Sequence, residues 1–140
     1  MKVAIPTADY PPIEGGIGTV ALELAREVAA LGHEVTVVAP WFPDMEAFDA
    51  GEPYRVRRFR GYRLGWLRVL PMRLRALPLV RRADLVLAIN ASHGGLIALL
   101  ASRLGGPRYV TFAYAYEFMR FHNSPLGALL RAVYRRSAFV

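Results

Sequence analysis

Short apolar runs alternate with helically spaced apolar residues along this chain, which predicts βαβ units around a parallel sheet. Lys2–Pro6 reads as a first buried strand. Ile17, Ala21, Leu24, Val28 and Leu31 recur at steps of four, three, four and three, which puts them on one face of a helix. Gly32 stands where that helix should end. The β-branched run Glu34–Ala39 predicts a second strand. Pro40–Pro53 is expected to be a loop and Tyr54–Phe59 a third strand. From 60 to 82 arginine and leucine interleave, and Pro71 and Pro78 should break the segment into short helical pieces. Asp84–Ile89 is a clear strand, and Ser92 is placed to cap a helix running to Leu104, ended by Gly105-Gly106-Pro107. Arg108–Phe112 predicts a strand and Leu126–Arg136 a helix, with Ser137–Val140 as the opening of a further strand. The fold expected is therefore α/β: an open parallel sheet with helices on both faces, forming one domain over residues 1–140.

Composition narrows the classes. At 54% hydrophobic the chain can bury a real core, so disorder is excluded. There is no cysteine, which removes disulfide frameworks and thiolate metal sites. Only Val3-Ala4-Ile5-Pro6 follows Met1-Lys2, too short for a signal peptide, and no run reaches the roughly 18 apolar residues of a spanning helix. A cytoplasmic protein is expected. The net charge of +7 conceals an asymmetry: residues 1–52 hold nine acids against Lys2 and Arg26, whereas residues 53–140 hold sixteen arginines against Asp84 and Glu117. Ten of those arginines fall between Arg55 and Arg82, interleaved with Phe59, Tyr62, Leu64, Trp66, Leu67 and other apolar residues. That mixture suits a solvated face of a core-packing segment first, and the surface of an anionic membrane as the functional alternative. No motif supports nucleic-acid binding.

The strongest local signal is Pro11-Pro12-Ile13-Glu14-Gly15-Gly16-Ile17-Gly18-Thr19. A glycine-rich loop feeding a helix offers unpaired backbone N–H groups to an anion, and the helix dipole adds to the attraction. An ordinary tight loop has the same composition. Gly16 to Ala21 also fits the dinucleotide fingerprint G-x-G-x-x-A. Against it, nine residues (Thr7–Gly15) separate the strand from Gly16, and the second strand ends in Ala39-Pro40 without the acid that would hold a ribose. No G-K-[ST] is present, so there is no Walker loop. Serine-hydrolase and zinc-protease motifs are also absent.

The spaced string Ile5-Pro6, Pro11-Pro12-Ile13-Glu14-Gly15-Gly16-Ile17-Gly18, Leu24-Ala25, then Ala30-Leu31-Gly32-His33-Glu34-Val35-Thr36-Val37-Val38 resembles the opening of the retaining GT-B glycosyltransferases of the glycogen-synthase-like and mannosyltransferase-like family. Asp84-Leu85-Val86-Leu87-Ala88 and Tyr116-Glu117-Phe118 extend the resemblance over the whole chain. It implies the N-terminal, acceptor-side domain of such an enzyme, with the donor-binding domain absent and the present domain truncated near its end. It implies transfer of a sugar from a nucleotide-sugar to a sugar or lipid-linked acceptor with retention, without a metal or other cofactor. Gly15 and Gly16 match the loop whose backbone meets the donor diphosphate or the acceptor, with Gly18 and Thr19 beside them. Glu117 matches the family's acidic residue, which makes it a catalytic candidate together with Tyr114. The His-Gly pair that usually precedes it is replaced by Tyr114-Ala115, so Tyr114, or Tyr116 if the alignment slides, takes the place next to the transferred sugar. An unperturbed tyrosine stays protonated near neutral pH, so its expected role is hydrogen bonding and stacking.

The histidines read as ordinary. His33 suits a surface turn, His93 a helix start, and His122 could reach a cleft near Glu117. Two further classes remain open: a dinucleotide-binding domain, and a non-catalytic module that binds a membrane or partner through residues 55–82.

Overall fold

A computed structural model describes residues 1–60, 69–121 and 123–140. Tyr62, Leu64, Trp66, Leu67 and His122, singled out above, and two of the ten arginines, Arg63 and Arg68, lie outside the described residues. Among the described residues five strands form one sheet: β1 Lys2–Pro6, β2 Glu34–Pro40, β3 Arg55–Phe59, β4 Leu85–Ala88 and β5 Arg108–Thr111. All pair in parallel, in the order β3-β2-β1-β4-β5. The helices are α1 Gly16–Ala30, α2 Glu46–Ala50, α3 Val69–Arg81, α4 Leu96–Arg103, α5 Ala115–Phe121 and α6 Pro125–Arg136. The expected open parallel α/β sheet is the fold observed.

Strand alternation divides the core in two. Val3, Ile5, Val35, Val37 and Ala39 face Ala21 and Ala25 of α1. Ala4, Val38, Val86 and Ala88 face Ala76 and Val80 of α3, Ile97 and Leu99 of α4, and Leu130 and Val133 of α6. Each buried Val, Ile or Leu contributes about 1.5–3 kcal/mol, so the two layers hold the sheet from both sides. The small alanines of α1 let that helix lie close against β2. Gly32 ends it with a φ of 84°, a left-handed turn a side chain would strain.

Four expectations need correction. Pro40–Pro53 is not loop throughout, because α2 forms there behind Met45, which is 1% exposed. α3 is one helix rather than short pieces. Pro71 falls in its first turn, where the missing N–H has no partner to lose, and Pro78 lies inside it. The helix after β4 is capped by Asn90, not Ser92. Ser137–Val140 forms no regular strand, although it lies along β5: Ala138 N–H donates to the Tyr109 carbonyl at 2.8 Å and Thr111 N–H to that of Phe139 at 3.2 Å.

Candidate functional site

The strand order reverses between β1 and β4. The chain leaving β1 turns to one face of the sheet and the chain leaving β4 to the other, so a crevice opens beyond Pro6 and Ala88. One side of it is the segment from Thr7 to Gly15. Thr7 is buried and ties this segment down: its N–H donates to the Val38 carbonyl at 2.9 Å and its hydroxyl to that of Asp9 at 2.8 Å. Arg58 reaches across from β3 to hold the same loop. Its guanidinium pairs with Asp49 at 2.7 Å and donates to the carbonyls of Pro40 at 3.2 Å and Pro11 at 2.5 Å. It also lies 5.0 Å over the ring of Tyr10, which is wholly buried and 2.6 Å from the Tyr54 hydroxyl. Burial raises the Tyr10 hydroxyl to about 12, so it remains a neutral structural group.

The glycines do not share one environment. Gly15 is extended and exposed, and Gly16 opens α1, also exposed; a Cβ added to either would meet nothing within 4 Å. Among the described residues no side chain caps α1, and no acid lies in its first turn, which leaves its positive end uncapped by them. The reading of Gly15–Gly18 as a loop needs correction, since Gly16 to Gly18 are helical. Gly18 is buried, its Cα facing the Tyr10 backbone, where an added Cβ would lie 3.4 Å from the Tyr10 nitrogen. Thr19 donates its hydroxyl proton to the Gly15 carbonyl at 3.1 Å, which leaves none for an incoming phosphate. The open donors are thus the backbone groups at the start of the helix. The nine-residue approach from β1 and the Pro40 end of β2 also persist in the structure, both unlike the dinucleotide fingerprint.

The other side of the crevice is a π-helical turn, Ala91–Gly95, that leads into α4. Gly94 is required here. An added Cβ would sit 2.3 Å from the Pro6 carbonyl oxygen, so only glycine lets the turn lie against the end of β1. The Asn90 side chain accepts from Gly94 N–H at 3.1 Å. The free N–H groups at the start of the turn go to Glu117, whose carboxylate accepts from Ala91 N–H at 3.0 Å and Ser92 N–H at 2.8 Å. Glu117 is 4% exposed. An acid from α5 therefore occupies the anion slot of this turn and fixes Ser92 and His93 at the rim, where the Ser92 hydroxyl and His93 Nδ1 lie 3.0 Å apart.

Tyr114 is half-buried and packs against the cluster containing Tyr10 and Ile89, as does Ile17 of α1. Its hydroxyl is pushed above the usual tyrosine range, first by burial and second by the Glu117 charge, so it remains a donor at neutral pH. Tyr114 and Tyr116 do not share a side of an extended segment. Tyr116 lies in α5, is 60% exposed and bonds Arg120. His33 is half-buried and directly follows the exposed Leu31-Gly32 turn that ends α1. Reading the sequence alone missed Arg73, whose guanidinium donates to the Ser92 carbonyl while its Nε is buried without a partner among the described residues. It missed Asn90 and Ser92 as crevice residues too. The usable signal was their place directly after the apolar run Leu85–Ile89, where strands meet a crevice. Among the described residues no three His, Cys, Asp or Glu side chains gather into a metal site, and no helix is long and apolar enough to cross a membrane.

Comparison with known proteins agrees with this fold. The model of Glycosyltransferase Family 4 matches residues 14–139. No curated protein matches the chain. Among solved structures, HepE of Anabaena in complex with UDP and glucose superposes with a TM-score of 0.69 at 16% identity, covering 99% of this chain and 36% of that one. MurG of Acinetobacter baumannii gives 0.55 at 19% identity, covering 79% and 34%. A Listeria monocytogenes protein assigned as a UDP-N-acetylglucosamine 2-epimerase gives 0.59 at 16%, covering 98% and 37%. At these identities the likeness carries the fold alone, and the chain spans about a third of the length of each of these structures.

Proposed function

Since this chain belongs to Glycosyltransferase Family 4, we propose that it forms the acceptor-side half of an enzyme that moves a sugar from a nucleotide-sugar to an acceptor with retention. A second domain would complete the crevice and hold most of the donor. The observation that carries this is the bare N-terminus of α1, with Gly15 and Gly16 open to close approach, at the strand-order reversal. Its N–H groups suit a diphosphate or a sugar hydroxyl, and charge that develops on the leaving diphosphate would be stabilised there. Similarity to HepE, solved with UDP-glucose, favours a UDP-sugar as donor. No metal or other cofactor is assigned a role.

Within this reading Tyr114 stands beside the transferred sugar as hydrogen-bond donor and stacking surface. Glu117 is a positioning residue, because its carboxylate is spent on Ala91 and Ser92. The enzyme works in the cytoplasm at the inner membrane face on a sugar or lipid-linked acceptor, a placement supported by the arginines of residues 55–82. Catalysis that positions a donor between two domains predicts no turnover by the 140-residue chain alone. The test uses the full-length protein carrying this domain with a panel of UDP- and GDP-sugars, following nucleoside diphosphate release and the anomeric configuration of the product by NMR. Turnover by the isolated chain, or a product of inverted configuration, overturns the corresponding part of the reading.

A further inference from the structure

We propose that a basic groove between α3 and the outer strand β3 docks the phosphate headgroups of an anionic membrane. The proposal rests on the membrane-face placement above and gives it an address; it is independent of the transfer chemistry.

In sequence the arginines of 55–82 look alike, but the fold separates them. Arg58 is used internally on Asp49 and Pro11. Arg60 lies 4.1 Å over the Trp41 ring, and Arg81 donates to the Leu104 carbonyl at 2.8 Å. Arg73 is turned to Ser92. Four others, Arg55, Arg57, Arg75 and Arg82, converge with Lys2 on a groove of about 550 Å³ that Arg58 also borders, and Glu34 is its one carboxylate among the described residues. Strand alternation sends Arg55, Arg57 and Phe59 to the same face of β3, while the step from Arg75 to Leu79 puts these two on one side of α3, and Arg82 joins them from the turn that follows the helix.

None of the four arginines forms an ion pair with a described residue. Like charges gathered without counterions repel, and a phosphate-bearing surface relieves that repulsion. Apolar surface adjoins the groove: Leu74, next to Arg75, is 56% exposed, and Pro78 and Leu79 line the wall. Basic and apolar groups side by side favour a membrane over a free anion, which has no use for Leu74. The groove also begins at Lys2 and Glu34, the N-terminal ends of β1 and β2, while the crevice lies beyond the C-terminal ends of β1 and β4. Docking here leaves the crevice uncovered.

The test is co-sedimentation of the chain with vesicles of equal parts phosphatidylglycerol and phosphatidylcholine, against pure phosphatidylcholine, without any nucleotide-sugar. The wild type should bind the anionic vesicles alone. Arg55→Gln/Arg57→Gln/Arg75→Gln/Arg82→Gln should weaken binding on the order of a hundredfold, each charge contributing several-fold. A control with the same charge loss elsewhere, Arg103→Gln/Arg108→Gln/Arg135→Gln/Arg136→Gln, should stay within about threefold. The four groove residues changed to lysine should keep most of the binding, and thermal melting checks that each variant folds. A wild type that ignores anionic vesicles overturns the membrane placement and the groove together. A glutamine groove variant that still binds, or a control that weakens equally, overturns the groove alone. Inorganic pyrophosphate is the second arm: if it raises the melting temperature of the wild type while vesicles do not bind, the ligand is a soluble phosphate and the membrane is the wrong source.

Discussion

Glu117→Gln separates a positioning acid from a chemical one. The carboxylate holds two N–H groups, at 3.0 and 2.8 Å, in a pocket where the residue is 4% exposed. The amide of glutamine has one oxygen and can keep only one of these bonds. Its NH2 must then face the second N–H, donor against donor. The lost charge-assisted bond is worth about 1.5–3 kcal/mol, and the orphaned buried N–H adds about 1–3 kcal/mol. Removing a buried charge returns part of that, since the carboxylate no longer has to be desolvated. A net loss of about 2–3 kcal/mol follows, which for a chain of this size lowers the melting temperature by roughly 4–12 °C. Urea unfolding of the 140-residue chain, followed by far-UV circular dichroism, measures it. In the two-domain enzyme proposed above turnover should fall as well, because Ser92 and His93 lose their anchor. A change below about 0.5 kcal/mol, the size of an ordinary surface substitution, would refute the positioning role. So would unchanged stability with abolished turnover, the pattern of an acid that acts on substrate.

Gly94→Ala should be more damaging than its size suggests, by about 3 kcal/mol or more in the same unfolding assay, because the new Cβ would lie 2.3 Å from the Pro6 carbonyl oxygen and backbone must move. Gly16→Ala should leave stability unchanged or raise it by about 0.5–1 kcal/mol, since Gly16 is helical with open space around it; in the full-length enzyme it should still lower kcat/KM, and full activity would count against close approach by a ligand. Arg58→Met strands Asp49 and frees the Pro11 carbonyl, and should cost about 3 kcal/mol by thermal or urea melting. Tyr114→Phe should lower turnover by the worth of one hydrogen bond, about 1 kcal/mol, and Tyr114→Ala by more, read as kcat/KM. Glu52 is held below its ordinary value of 4.5, chiefly by its bond to Arg26, so its stabilising contribution is present above that value and is lost as pH falls through the lowered one; Glu52→Gln should flatten the acid limb of a stability–pH curve.

The elements that could be read without coordinates are those whose local period decides them. The run from Val3 to Pro6, the β-branched Glu34–Ala39 and the steps from Ile17 to Leu31 each bury one side of a regular structure, and that demand is written in neighbouring residues. The α/β class follows from their alternation. α2 was invisible because five residues carry too little periodicity, and its anchor Met45 is buried only by the rest of the fold. Pro78 suggested a break that packing of Ala76 and Val80 overrides. In the crevice, the exposed Gly15 and Gly16 were legible as glycines before a helix, whereas the inward turn of Gly18 depends on where Tyr10 lies. The role of Glu117 could not be read at all: its partners are 25 and 26 residues away, and they meet it only because β4 and β5 are neighbours. The same holds for the arginines of 55–82. Residue type sets how much charge the segment carries, but strand parity, helix phase and the position of β3 at the sheet edge decide which guanidinium is buried, which stacks and which four face one groove.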